Sequence, residues 1–179
     1  MTCLPIVLVW TCCMSLAVTR AYYVFRVTDT ARATYLNLMN EERKKLRLEP
    51  LSWSTFYMDR ANTYDSMCDN HVGYSPPADK YGQILFRSKT KYSTYNGELA
   101  KAAVEHWLTE KNYLDPPFYR CTIRTTSRYT HRCGHYAQIL NREASQVGCG
   151  EMQCKKNIRV VVCGFDKQLS QTESKKPGS

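Results

Sequence analysis

Nine cysteines in 179 residues constrain this chain more than any other feature. Three of them, Cys3, Cys12 and Cys13, sit in an apolar N-terminal run that has the length of a signal-peptide core and is short for a bilayer span. Small residues allow cleavage after Ala17, with Ser15 two before it, or after Ala21, with Thr19. Residues 1–21 are therefore expected to be a signal peptide, against the alternatives of a membrane anchor or a buried strand. Export removes three cysteines and leaves Cys68, Cys121, Cys133, Cys149, Cys154 and Cys163. An even set in an oxidising compartment predicts three disulfides, whose pairing the residues alone leave open. A zinc–thiolate site is the competing reading. No two of the six have CxxC spacing, and exported thiolates face oxidation.

The remaining length suits one domain over 22–167, large enough for a core of its own, with a polar tail over 168–179 expected to be disordered. No second long apolar run follows the first, so no transmembrane segment is expected, and the protein is expected to be secreted. Lys and Arg number 25 against 16 Asp and Glu, a formal charge of +9. The clusters Arg43-Lys44-Lys45, Lys155-Lys156 and Lys175-Lys176 could meet an anionic glycan or a membrane surface, or be ordinary solvated surface. Nothing resembles a nucleic-acid module, and no Asn-x-Ser/Thr sequon occurs.

Thr28-Asp29 can cap a helix over about 30–45, in which Ala33, Leu36 and Met39 recur at helical spacing and Arg43 and Leu46 can continue the stripe. Pro50 ends that region, and Ser52 or Ser54 starts a second helix to about Cys68 along Tyr57, Ala61 and Tyr64. Residues 69–96 are punctuated by Gly, Pro and Asn, with a short strand at Ile84-Leu85-Phe86. Leu99, Ala103 and Trp107 mark a third helix over about 98–111, and 134–140 a short fourth. Strands are predicted near 145–152 and 158–165, joined across Lys155-Lys156-Asn157, with Arg159-Val-Val-Val-Cys163 central. Helices first and adjacent strands last predict an α+β fold with helices on an antiparallel sheet.

The order of several short segments adds to this. Asn40-Glu-Glu-Arg43, Pro50-Leu-Ser-Trp53, Cys68-Asp-Asn-His71, Gly82-Gln-Ile-Leu85, Trp107-Leu-Thr-Glu110, Gly134-His-Tyr-Ala-Gln-Ile-Leu140, Val147-Gly-Cys-Gly150 and Val161-Val-Cys-Gly-Phe165 follow one another as in the CAP superfamily. That group comprises the cysteine-rich secretory proteins, insect antigen 5, plant pathogenesis-related group 1 and venom allergen-like proteins, which share the SCP domain. The resemblance implies an α–β–α sandwich, with a small antiparallel sheet between helices. It also implies the disulfides Cys68–Cys154, Cys149–Cys163 and Cys121–Cys133.

The resemblance further implies a cleft at His71, Gln83, Glu110 and His135. Two imidazoles can ligate zinc or another divalent metal, and carboxylates can orient them or activate water. His71 and His135 are therefore candidate metal ligands, although no cofactor is required. They could equally be a hydrogen-bonded pair joining helix ends to the sheet. Gln83 replaces one family acid, and a carboxamide neither takes a proton near neutral pH nor ligates a transition metal well. Met39, Ala137, Asn141 and Gly164-Phe165 also depart from the family pattern.

No catalytic residue is assigned. Ser127 and Ser145 are the candidate nucleophiles by position, but neither sits in a nucleophile motif. Aromatic residues crowd the middle of the chain, and Tyr113-Leu-Asp-Pro-Pro-Phe-Tyr119 is an apolar, proline-stiffened loop. Some CAP relatives bind sterols or fatty acids. Tyr113, Phe118 and Tyr119 are the ligand-binding candidates, against a role in covering the core. The expected function is a secreted, non-catalytic binding or effector protein that engages a lipid or a protein partner. The alternative is a weak metal-dependent hydrolase using His71, Glu110 and His135.

Overall fold

The β-branched run expected at the centre of a sheet is there. In the computed structural model, which describes residues 22–63, 68, 81–89, 91–113 and 133–169, the elements run in chain order. They are β1 (Tyr22–Phe25), α1 (Asp29–Lys45), β2 (Ser52–Trp53), α2 (Thr55–Ala61), β3 (Gly82–Ser88), α3 (Glu98–Thr109), α4 (Gly134–Ile139), β4 (Gln146–Cys154) and β5 (Arg159–Phe165). The sheet order is β1-β4-β5-β3, all antiparallel, with β2 added as a short parallel pair to β4. β5 thus has neighbours on both sides and is buried along nearly its whole length.

Strand alternation divides the core into two clusters. Val147, Cys149, Val161, Cys163, Phe165, Ile84 and Phe86 pack with Tyr35 and Met39 of α1, Leu99, Ala103 and Trp107 of α3 and Ile139 of α4. The opposite face gathers Met152, Cys154, Val160 and Val162 with Ala61 of α2. Helices therefore cover both faces of the sheet, an α–β–α sandwich. On the α2 side the helix backbone lies against β4 so closely that only glycine fits. A Cβ on Gly148 would stand 2.2 Å from the Ser54 carbonyl oxygen and 2.3 Å from the Met58 nitrogen.

The cap at Thr28 forms as expected, its Oγ1 accepting from the Ala31 amide at 3.1 Å. The buried stripe of α1 differs from the expected one. It runs through Ala31, Tyr35, Met39, Glu42 and Arg43, so Met39 and Arg43 of the expected stripe are buried while Ala33 is exposed and Tyr35 and Glu42 take the inner positions. α2 ends at Ala61 rather than near Cys68. β1 was not anticipated from the residues.

Cys68–Cys154 and Cys149–Cys163 are bonded as the family resemblance implied. Cys149 and Cys163 lie directly opposite one another across β4 and β5. Cys133 is also disulfide-bonded; Cys121, its implied partner, lies outside the described residues, as do the expected signal peptide and the tail beyond residue 169.

Candidate functional site

Glu110 and His135 meet because three elements lock their positions. Leu99, Ala103 and Trp107 are fully buried, which fixes the face that α3 turns to the sheet. Trp107 Nε1 donates to the Leu85 carbonyl of β3 at 3.1 Å, so the helix cannot rotate. The chain then tightens into a short 3-10 turn over Glu110–Tyr113, which leaves the Glu110 carboxylate buried against the start of α4.

There Glu110 does two things. Its Oε2 accepts from the backbone amides of His135, at 3.0 Å, and Tyr136, at 3.1 Å. These are amides a helix start leaves without partners, so the side chain serves as the cap that Cys133 does not supply. Its Oε1 lies 2.6 Å from His135 Nδ1. A carboxylate can only accept, so the proton of this contact sits on Nδ1. The ring is thereby held with Nε2 directed away from Glu110 and the imidazole half-buried beside the Trp107 ring.

The rest of α4 is anchored as firmly. Tyr136 donates its hydroxyl to Glu42 Oε1 on α1 at 3.0 Å. Gln138 donates to the Lys167 carbonyl and accepts from the Leu169 amide, both at 2.8 Å, and its side chain fills the space a Cβ on Gly82 would need. Glu42 and Tyr136 were not singled out from the residues. The signal was present, since Glu42 falls on the stripe of Tyr35 and Met39.

Arg43 corrects one of its two readings. As a member of the basic cluster Arg43-Lys44-Lys45 it is expected on the surface and as a continuation of the α1 stripe it is expected inside, and its side chain is fully buried. Its Nε donates to the Glu49 carbonyl at 2.7 Å, Nη1 to Ile139 and Asn141 at 2.8 and 2.9 Å, and Nη2 to Ala144 at 3.0 Å. Lys45 pairs with Glu42, so the cluster is no simple cationic patch. Asn40 likewise serves the fold, exchanging two hydrogen bonds with the Leu51 backbone.

The other candidates are distributed as follows. Gln83 is on β3 opposite Gly164, alternating with Ile84, which places it on the same sheet face as Leu85. That face is opposite the one covered by α3 and α4. Tyr113 ends the 3-10 turn with about half its surface exposed. Ser145 is tied to Asp166, its Oγ 2.6 Å from Oδ2 and its amide 3.0 Å from Oδ1. The hydroxyl thus locks a turn, and no imidazole contacts it among the described hydrogen bonds. Met39 and Asn141, two departures from the family pattern, are both buried, Met39 in the core and Asn141 with its carbonyl on Arg43. His71, Phe118, Tyr119 and Ser127 lie outside the described residues.

A divalent metal at this place would find His135 Nε2 as a ligand already oriented by a carboxylate. Among the described residues no group of three or more His, Cys, Asp or Glu is placed to hold one. Zinc takes three or four protein ligands as a rule, so His135 would need donors from outside this set.

Comparison with known proteins gives a consistent outcome. A model described as the CAP cysteine-rich secretory protein family matches residues 36–165. Pathogenesis-related protein 1A of Nicotiana tabacum is 30% identical over 138 residues, covering 77% of this chain and 76% of that protein. Pathogenesis-related protein 1 of Arabidopsis thaliana is 25% identical over 136 residues, covering 74% and 73%. Among solved structures, Na-ASP-1 superposes with a TM-score of 0.63 at 18% identity, over 84% of this chain and 45% of that longer one. Venom allergen-like protein 4 of Schistosoma mansoni gives 0.59 at 20% identity, over 85% and 95%. NaASP2, solved with Zn2+, gives 0.59 at 17% identity, over 78% and 80%.

Proposed function

This chain belongs to the CAP cysteine-rich secretory protein family, and from that premise we propose that it is a secreted, non-enzymatic binding protein whose ligand is an apolar lipid such as a sterol or fatty acid. One observation carries the non-enzymatic part. Both oxygens of Glu110 are consumed in structure, one capping α4 and the other holding His135 Nδ1. A general base must be free to take a proton from substrate or water, so Glu110 itself is out of that role and His135 Nε2 is the base left open, with no described hydroxyl hydrogen-bonded to it and no three-ligand metal set around it among the described residues. Gln83, which the family resemblance puts at the second acid position, is a carboxamide that cannot take that role, and strand alternation sets it on the other face of the sheet. Asp166, the acid nearest to Ser145, is occupied by that hydroxyl and by the amides of Ser145 and Gln146.

The lipid part rests on Tyr113. It is a large side chain left half-exposed at the end of the 3-10 turn after α3, and in the sequence it begins the run Tyr113-Leu-Asp-Pro-Pro-Phe-Tyr119. Aromatic rings with a polar tip suit flat apolar ligands. Secretion fits the family and the apolar leader, and no helix among the described residues is long and apolar enough to cross a membrane.

The test uses the exported protein. Displacement of a fluorescent sterol and a fluorescent fatty acid is measured for the wild type, Tyr113→Ala and Phe118→Ala, alongside ester hydrolysis with and without a chelator. The expected result is saturable lipid binding weakened by either substitution, with no chelator-sensitive turnover. Absence of lipid displacement at micromolar protein would turn the assignment to a protein partner. Turnover removed by chelator and by His135→Ala would establish the hydrolase instead, with zinc or another divalent metal on His135.

A further inference from the structure

One buried acid has no part in the Glu110–His135 site. Glu151 sits in β4, opposite Phe25 of β1 on one side and Val161 of β5 on the other. It is fully buried. Its Oε1 accepts a hydrogen bond from the Tyr35 hydroxyl of α1 at 2.9 Å, and Tyr35 is fully buried too. Its Oε2 is buried and has no hydrogen-bond partner.

The groups around it are few. α1 presents Tyr35. β5 presents Val161 and, diagonally, Arg159, whose Nη1 donates to Gln153 and whose Nε is buried without a partner. The Arg159 guanidinium lies 5.0 Å over the Phe25 ring and makes no salt bridge to Glu151. β1 presents Phe25 and, two residues back on the same face, the exposed Tyr23. β4 itself flanks Glu151 with Gln153 and the disulfide-bonded Cys149. α3 brings only uncharged side chains to the buried cluster on this face, Leu99, Ala100, Ala103, Val104 and Trp107.

We propose that Glu151 is a proton-controlled latch on the edge strand β1: protonated, it lies sealed beneath Phe25; ionised, it draws water to Oε2 and loosens β1. A carboxylate needs several donors when removed from water, and this one has a single hydroxyl. Water can reach it with least disruption through β1. That strand has four residues, pairs only with Glu151–Cys154, and carries Tyr23 and Val24 exposed. β5 is held by ladders on both sides, and Tyr35 belongs to a 17-residue helix.

The energetics have the sign the latch requires. Burial pushes the Glu151 carboxyl up to about 7, against the opposing Tyr35 hydrogen bond and Arg159 charge. The folded protein therefore holds this proton more tightly than the unfolded chain does. The contribution to stability is complete below the ordinary carboxylate range, falls as pH rises, and levels above about 7. Over that window it is worth on the order of a hundredfold in the folded-to-unfolded ratio.

The experiment is hydrogen exchange of the N-terminal peptide of the exported protein, corrected for the intrinsic pH dependence, at about pH 5 and about pH 8. The Glu151 carboxyl is titrated in parallel by carbon NMR. We expect β1 protection to fall roughly tenfold or more at the higher pH, following the Glu151 midpoint. Glu151→Gln should keep β1 equally protected at both. Should Glu151→Gln fail to fold, Tyr35→Phe removes the one donor to the carboxylate and must move the midpoint further up. A midpoint in the ordinary carboxylate range, β1 loosening unchanged in Glu151→Gln, or no upward shift in Tyr35→Phe would each overturn the latch.

Discussion

His135 is bonded to Glu110 through both its backbone and its ring: the amide donates to Oε2 at 3.0 Å while Nδ1 lies 2.6 Å from Oε1. One carboxylate thus sets both where α4 begins and which way the imidazole points. Glu110→Gln keeps a single accepting oxygen, so it either releases the helix start or the ring, or turns its NH2 to Nδ1 and forces His135 into the Nε2–H tautomer, with the charge of the cap lost in every case. We expect a loss of about 1–2 kcal/mol, and more for Glu110→Ala, which leaves the amides of His135 and Tyr136 without a partner. Urea unfolding measures it. An unchanged midpoint in Glu110→Ala would show that the cap contributes nothing.

Arg43 should tolerate no replacement. Its planar fork reaches four carbonyls from the α1 exit, the end of α4 and the approach to β4. A lysine ammonium has three donors in a tetrahedral arrangement and cannot span them. Arg43→Lys is expected to cost about 2–4 kcal/mol, since buried carbonyls and a poorly solvated charge remain. Thermal unfolding with Lys44→Ala as the exposed control decides this, and equal effects of the two would refute the buried staple.

Glu42 gives a pH dependence opposite in sign to that of Glu151. Burial pushes its carboxyl up, but hydrogen bonds from Lys45 and Tyr136, with the Lys45 and Lys111 charges, outweigh burial and leave it below the usual carboxylate range. Its stabilisation is present above the unfolded-state value and disappears as pH falls through the lower folded one. Tyr136→Phe is expected to cost about 1 kcal/mol near neutrality. Melting curves of wild type and variant should converge in acid; a constant gap across pH would exclude the charged partner.

The two disulfides with both ends described should differ in access and in effect. Cys149 and Cys163 are fully buried, whereas Cys68 is only partly so. Thiol–disulfide exchange needs an approachable sulfur, so mass mapping after mild native reduction should find Cys68–Cys154 opened first. Loop closure over 86 residues is worth about 4.5 kcal/mol, against about 3 kcal/mol over 14, on the chain-entropy account. Its loss should lower the melting temperature markedly while Cys149–Cys163 stays oxidised. Simultaneous reduction of both would mean that the core opens before either bond is reached.

Signals that act along the chain are legible in the residues themselves. The Thr28 cap, the Leu99-Ala103-Trp107 spacing and the β-branched run of β5 depend on neighbours within a few residues. They form where expected, and the ordered motif fragments identify the family. The roles of the motif residues are not legible in the same way. Arg43 reads two ways, as a basic residue flanked by lysines and as a continuation of the α1 stripe, and the carbonyls that decide between them, at Ile139, Asn141 and Ala144, lie 96 to 101 residues away. Glu110 reads as a cleft acid, and only the placement of α4 makes it a cap. Glu151 gives no signal at all, because one acid in a strand looks solvent-facing until α1 and β1 close over it. Side-chain type and local spacing settled which elements form and to which family they belong. Tertiary packing alone decided which polar groups lose water, and the loss of water is what turns an ordinary carboxylate or guanidinium into a cap, a staple or a latch.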